Sequence, residues 1–438
     1  MRKFFMFLCL FVLIAVFSVK DSFGIPAFSR KYQTSCVTCH YAYPMLNAFG
    51  KAFMNNGFRW PGGDSNYVKE EPVSLGAPGN KRAFPDAVWP SDIPGTSPVS
   101  IYLTELINYK AMSDTAKWDF NIPNYLNIMY GGTLGNSFSF FGETEFVREY
   151  NAINFDFSAF IQWDLYPELH IKAGEVRADP TFRDLRLTVS DYNIEDLTSR
   201  NGWNLSNTQF GLEVSGAVNG IGNRGGLTYR MGVVNGQGIT QANTPKGTCG
   251  HVACHSNHNT GKPTKDICGK VTYKFGGLSV TGETKGVKSR EEKSYKDNSL
   301  TLGGYFYKGT ESGTANENLT VLGGDIDIWY ERFIINSSLM YMNSDMPDTV
   351  NLNATSNRKS LAFYIQTNGV IFPWLMALFR YEWTKADLRG GYQPVISVIP
   401  GITILPRANI KIDLEGKKYL DNLNSKNNSF YLRINFAM

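Results

Sequence analysis

From about residue 99 to the end of the chain, apolar and polar residues alternate with a period of two. In 153–165, Ile153, Phe155, Phe157, Ala159, Ile161, Trp163 and Leu165 share one face. Asn154, Asp156, Ser158, Gln162 and Asp164 share the other, which only Phe160 interrupts. Segment 407–415 sets Ala408, Ile410, Ile412 and Leu414 against Arg407, Asn409, Lys411, Asp413 and Glu415. Segments 375–384 and 430–438 repeat the pattern, the first with Leu378 on its polar face. A period of two is that of a strand with two unlike faces.

Such strands can build a soluble sandwich, apolar faces inward. They can also build a transmembrane barrel, apolar faces to lipid and polar faces to the lumen. Runs of about 9–12 residues are long enough to cross a bilayer at a tilt. Trp163, Tyr381 and Trp383 sit near strand ends, where aromatic girdles lie. The chain also ends on an alternating strand. The expectation is all-β: a transmembrane antiparallel β-barrel over 99–438, in the bacterial outer membrane. Counting gives about 17 strands, and bacterial barrels have even numbers, so roughly 16 are expected. The miscount falls between residues 289 and 318, where short turns and long loops stop alternating. Short turns are expected near 135, 167, 276, 331, 371 and 402.

The N-terminal hundred residues follow other rules. Arg2 and Lys3, an apolar run from Phe4 to Val19, and Ser22-Phe23-Gly24 read as a secretory signal over 1–24. Cys9 lies within it. Next comes Cys36-Val37-Thr38-Cys39-His40, the attachment motif of haem c. Two thiols must reach two vinyl groups on one porphyrin edge, and the adjacent His must reach the iron. A redox disulfide needs a βαβ context, and a zinc site needs further ligands nearby; neither follows here. In 42–58, Leu46, Phe49 and Phe53 recur at helical spacing, with Pro44 suited to a first turn and Gly57 to a stop. So short a helix needs a larger partner to bury its face. Seven prolines between 61 and 98 make an extended spacer. The expected division is signal 1–24, haem segment 25–60, linker 61–98 and barrel 99–438.

The stretch 36–58 resembles the fused cytochrome–porins of bacterial outer membranes, best known from iron oxidisers. Cys36, Cys39, His40, Ala42, Pro44, Leu46, Asn47, Gly50, Phe53 and Gly57 match that family's motif. Lys51, Met54 and Phe58 depart from it, and Met54 removes a charge. The resemblance implies a barrel with one haem c on Cys36 and Cys39 and His40 on the iron. It further implies electron transfer from an extracellular donor such as Fe(II) to periplasmic cytochromes. The same parts serve outward electron disposal, or a passive porin with a haem-bearing plug. Whether the chain counts as an enzyme, an Fe(II) oxidase, stays open.

A second cluster is ambiguous. Cys249, Cys254 and His255 form a C-x4-C-H motif, with His251 inside it and His258 and Cys268 after it. A second haem on Cys249 and Cys254 with His255 on the iron, a Cys249–Cys268 disulfide, and a structural metal site all fit the residues. Turn parity counted from the N-terminus puts this loop outside; counted from the C-terminus it does not. The distal ligand of the first haem is also open. Met45 and Met54 are near in sequence. His170 alternates with Leu169 and Ile171, so it should face the lumen near a periplasmic strand start, as a distal ligand or as an ordinary lumen residue.

Composition narrows the classes further. A net charge of +4 on 438 residues is too small for a nucleic-acid binder. Aromatics at 14% exclude a disordered chain. A mean hydropathy of −0.24 is too low for a helical membrane bundle and suits a barrel in which only alternate residues meet lipid. No phosphate-binding glycine loop and no hydrolase triad is evident.

Overall fold

In the computed structural model the described residues are 26–69, 82–83, 98–110, 117–135, 137–149, 152–177, 189–190, 192, 194, 205, 208–236, 264–282, 296–311, 317–347, 355–388, 393–421 and 427–438. The signal 1–24, most of the linker, and Cys249, Cys254 and His255 lie outside them.

Sixteen strands form one closed antiparallel barrel. They are β1 (Val99–Lys110), β2 (Trp118–Leu134), β3 (Phe138–Glu149), β4 (Ala152–Tyr166), β5 (Leu169–Arg177), β6 (Thr208–Asn219), β7 (Gly226–Val234) and β8 (Asp266–Gly276). The rest are β9 (Ser299–Glu311), β10 (Glu317–Tyr330), β11 (Phe333–Pro347), β12 (Thr355–Phe372), β13 (Leu375–Lys385), β14 (Val395–Arg407), β15 (Ile410–Tyr419) and β16 (Ser429–Ala437). Each pairs with its sequence neighbour, and β16 closes on β1 from Ser429 opposite Lys110 to Ala437 opposite Tyr102. The expected architecture and count therefore hold.

Connections at 135–137, 167–168, 220–225, 277–298, 331–332, 373–374 and 408–409 share the end where β1 begins and β16 finishes. The connection 277–298 is long although it lies at this short-turn end, which is why the alternation fails near 289. No turn occurs at 402: Ile402 lies inside β14 opposite Ala377 and Leu414. Pro400-Gly401 is a local turn signal there, but Pro400 keeps its place opposite Phe379 and the strand continues to the turn at 408–409. The connection 235–265, which carries Cys249, Cys254 and His255, joins strand ends at the opposite rim, as the N-terminal count requires.

The outer surface is apolar. Leu212, Leu322, Ile326, Leu339 and Ile402 are exposed along mid-strand. Trp163, Tyr166, Tyr330, Phe333, Phe372 and Trp374 ring the short-turn end, while Trp118, Phe120, Phe155 and Phe430 lie toward the other. An apolar band between two aromatic girdles is the surface of a membrane-spanning barrel. The inner face is polar, with Thr104, Asn127, Gln162, Gln366, Arg380, Glu382, Asp413 and Asn435 buried in it. The described residues of the connection 178–207 turn into this lumen. Ser190 donates to Glu415 at 2.6 Å, Tyr192 Oη meets Ser429 Oγ at 2.7 Å, and Lys411 donates to the Val189 carbonyl at 3.1 Å.

Leu339, 48% exposed, stands opposite Gly324 and Phe363 near the middle of β11. Leu339→Arg should cost about 2–4 kcal/mol of barrel stability, the midplane price of a cation facing lipid. Urea titration of the protein folded in vesicles measures it. A loss under about 1 kcal/mol would show that this face does not meet hydrocarbon.

Candidate functional site: the lumen plug and its Cys-x-x-Cys-His turn

Residues 26–69 fold as a plug in the short-turn mouth. It holds α1 (Ala27–Tyr32), a 3-10 turn at Cys36–Thr38, a two-strand ladder pairing His40–Ala42 with Met45–Leu46, and α2 (Ala48–Asn55). The helix expected over 42–58 is thus shorter. Pro44 follows a cis peptide bond in the ladder's turn rather than opening a helix. The plug also extends past residue 60: Asp64 accepts from Lys31, the Tyr32 hydroxyl and the Trp60 amide at 2.7–2.8 Å.

Asn47 holds the Cys-x-x-Cys turn to α2. Its Oδ1 caps the helix by accepting from the Gly50 amide at 2.9 Å, and its Nδ2 donates to the carbonyls of Val37 and Thr38 at 3.2 and 3.0 Å. Gly50 lets the two parts touch, because a Cβ there would stand 2.0 Å from the Cys39 carbonyl oxygen. Gly57 stops α2 as expected. With φ +63° it closes a Schellman motif: Phe58 N–H donates to Phe53 O, Gly57 N–H to Met54 O, and the Phe53 and Phe58 rings touch.

Helices of six and eight residues are not stable alone, and the barrel supplies the rest. Tyr41, Ala42 and Met45 bury against Trp329, Ile334, Val370, Met376, Leu378, Ile399 and Leu405 of the wall and Val189 of the inward connection. Phe58 stacks on Phe141 and Phe160. Polar bolts surround this floor. Arg59 pairs with Asp164 at 2.6 Å and donates to the Phe138 carbonyl. Lys51 pairs with Asp327 at 2.6 Å, and Asp327 also accepts from Trp329 and Asn336. Asn55 and Asn56 donate to the carbonyls of Val280 and Thr281. The plug thereby reaches wall on many sides of the mouth.

Plug and wall together line a lumen cavity of about 940 Å³, within the range of pockets that hold drug-sized ligands, roughly 300–1,000 Å³. Cys36, Cys39, His40, Met54 and His170 all line it. Neither thiol of the motif is in a disulfide. Burial raises both thiols, Cys39 to about 12. His40 Nδ1–H donates to the Pro44 carbonyl at 3.2 Å. That bond fixes the tautomer and leaves Nε2 with its lone pair, the usual support of an iron-binding imidazole. Burial also lowers His40 to about 4, against smaller opposing effects of the Pro44 and Met45 carbonyls, so the ring is neutral at pH 7. The donor set of two thiols on a tight turn, a supported imidazole and an adjoining cavity fits haem c.

The other candidates separate. Met45 is buried in the floor, so it is removed from the cavity. His170 faces the lumen as expected and is 4% exposed. Its Nδ1 meets Asp164 at 2.8 Å, and its Nε2 is buried without a hydrogen-bond partner. Cys268 is buried on β8 beside Gly232. Among the described residues no three His, Cys, Asp or Glu side chains form a metal-holding group.

Asn47→Ala removes a cap and two donors, worth about 2 kcal/mol together. It should loosen the plug alone. Limited proteolysis would cut within 30–60 faster, while the barrel keeps its heat-modifiable gel mobility. Unchanged cleavage would show that Asn47 does not hold the plug.

No protein-family profile matches the chain, and no curated protein matches it. Solved structures do. The Salmonella typhi porin OmpF, solved in complex with daunomycin, matches 78% of this chain and 97% of its own at 10% identity, with a TM-score of 0.53. The anion-selective porin of Comamonas acidovorans matches 78% and 100% at 9% identity and 0.51. The outer-membrane channel DcaP of Acinetobacter baumannii matches 78% and 96% at 11% identity and 0.50. The chain has the fold of an outer-membrane porin. Its own N-terminal segment occupies one mouth.

Proposed function

We propose that this protein is an electron conduit across the outer membrane. The observation that carries the reading is a Cys-x-x-Cys-His turn with both thiols out of disulfides, held inside a barrel lumen by a docked plug. Cys36 and Cys39 would form thioethers with haem c, and His40 Nε2 would ligate its iron. A bound haem supplies a one-electron carrier between an extracellular donor and a periplasmic cytochrome. The hydrocarbon core insulates, and in this reading the plug closes its mouth to ions while a haem on the Cys-x-x-Cys-His turn carries electrons through the lumen. The resemblance of 36–58 favours inward flow from a donor such as Fe(II), which loses one electron to become Fe(III). The residues of the chain do the rest: Asn47 and Gly50 hold the turn, Pro44 orients His40, and Arg59 and Lys51 seat the plug.

Two measurements test this. The protein exported with a cytochrome-maturation system should stain for haem on a denaturing gel, and Cys36→Ala/Cys39→Ala should lose that stain. A wild-type protein with no covalent haem refutes the reading. A haem-to-protein ratio near two would assign a second haem to Cys249, Cys254 and His255; a ratio near one would leave them to other roles. In planar bilayers the wild type should pass little ionic current, and deletion of 26–69 should open large steady steps. Equal currents from both would instead make the protein a passive porin.

A further inference from the structure

The lumen wall carries a row of side chains that haem attachment does not use. His170 of β5 stands opposite Ser215 of β6, Ser215 opposite Arg230 of β7, and Arg230 opposite Lys270 of β8. Residues paired across neighbouring strands share a face, and all four line the lumen cavity. The carboxylates around the row are committed. Asp164 pairs with Arg59 at 2.6 Å, Glu213 with Lys172 at 2.6 Å, and Asp325 with Lys270 at 3.0 Å.

Three groups in the row are left over. Among the described residues Arg230 pairs with no carboxylate, and the Ser215 hydroxyl meets no hydrogen-bond partner. Both residues are half-buried. Lys172 and Lys270 are each matched by an acid, so the row carries one net positive charge, at Arg230. The third group is His170. Its Nδ1 faces the Asp164 carboxylate at 2.8 Å, so that nitrogen holds the proton. In the neutral ring Nε2 is then an acceptor, and it is buried without a partner. A buried acceptor left unpaired is unfavourable.

One kind of occupant answers all three. A guanidinium fork takes both oxygens of a carboxylate, and the Ser215 hydroxyl can donate to one of them. A hydroxyl on the same molecule can donate to His170 Nε2. The backbones of β5 and β7 lie about 10 Å apart, two strand spacings, which is the span of two long side chains with a small molecule between them. A single net charge favours a carboxylate over a phosphate dianion.

We propose that Arg230, Ser215 and His170 bind a small hydroxycarboxylate anion on the lumen wall. The site does not depend on haem attachment.

Lactate is the probe, titrated into the full-length protein in detergent and followed by saturation-transfer nuclear magnetic resonance. Propionate, which lacks only the hydroxyl, is the comparison. Lactate should bind saturably, and propionate at least fivefold more weakly. Arg230→Gln should weaken both at least tenfold. His170→Ala should bring lactate down to the affinity of propionate while propionate stays within twofold of its wild-type value, a pattern that general loosening of the fold would not give. The proposal is overturned if wild type binds no lactate, if the two acids bind alike, if Arg230→Gln binds like wild type, or if His170→Ala keeps the preference. Cys36→Ala/Cys39→Ala should bind lactate like wild type. Binding in that variant alone would give Arg230 to a side-chain carboxylate of the haem and overturn the proposal while supporting the haem.

Discussion

A backbone in hydrocarbon can hydrogen-bond only to itself. That constraint governs the whole molecule. It forces β16 to close on β1, and with sixteen strands closure leaves a lumen too wide for wall side chains alone to fill. The lumen must then hold water, charged side chains, or another piece of chain. Here charged side chains line it, and the plug and the described residues of the inward connection lie within it. The remainder is the cavity onto which the Cys-x-x-Cys-His turn opens.

The plug is held by two kinds of interaction with different consequences. The floor around Tyr41 and Met45 is apolar and gives affinity, on the order of 1.5–3 kcal/mol for each large side chain buried. The ion pairs of Arg59 and Lys51 give position. A buried pair repays its desolvation only when the remaining lone pairs are satisfied. Asp164 meets this through Gln162 and His170, and Asp327 through Trp329 and Asn336. His170, weighed from sequence as an iron ligand, has a definite structural role besides: it helps hold the carboxylate that bolts the plug.

The period of two made the barrel legible, because lipid on one side and lumen on the other keep the faces unlike. The Cys-x-x-Cys-His turn was legible because its spacing is chemical. The docking of the two was harder to see, yet it left a trace. Phe160 and Leu378 break the polar faces of their strands, and both prove to face the plug or its floor. An apolar residue on a lumen face near the turn end marks where something sits. The extent of α2 was not legible, since the spacing of Leu46, Phe49 and Phe53 does not reveal that Asn47 caps the helix. The false turn at 402 arose because Pro400-Gly401 carries a turn signal that neighbouring strands override.

The seam of the barrel constrains the order in which the protein can be made. It joins the strand that follows the plug to β16, so the wall cannot close until both have been exported. Cys36 and Cys39 open onto the lumen cavity, inside the barrel wall. Anything too large to enter the lumen can meet those thiols only before the plug seats in the closed barrel.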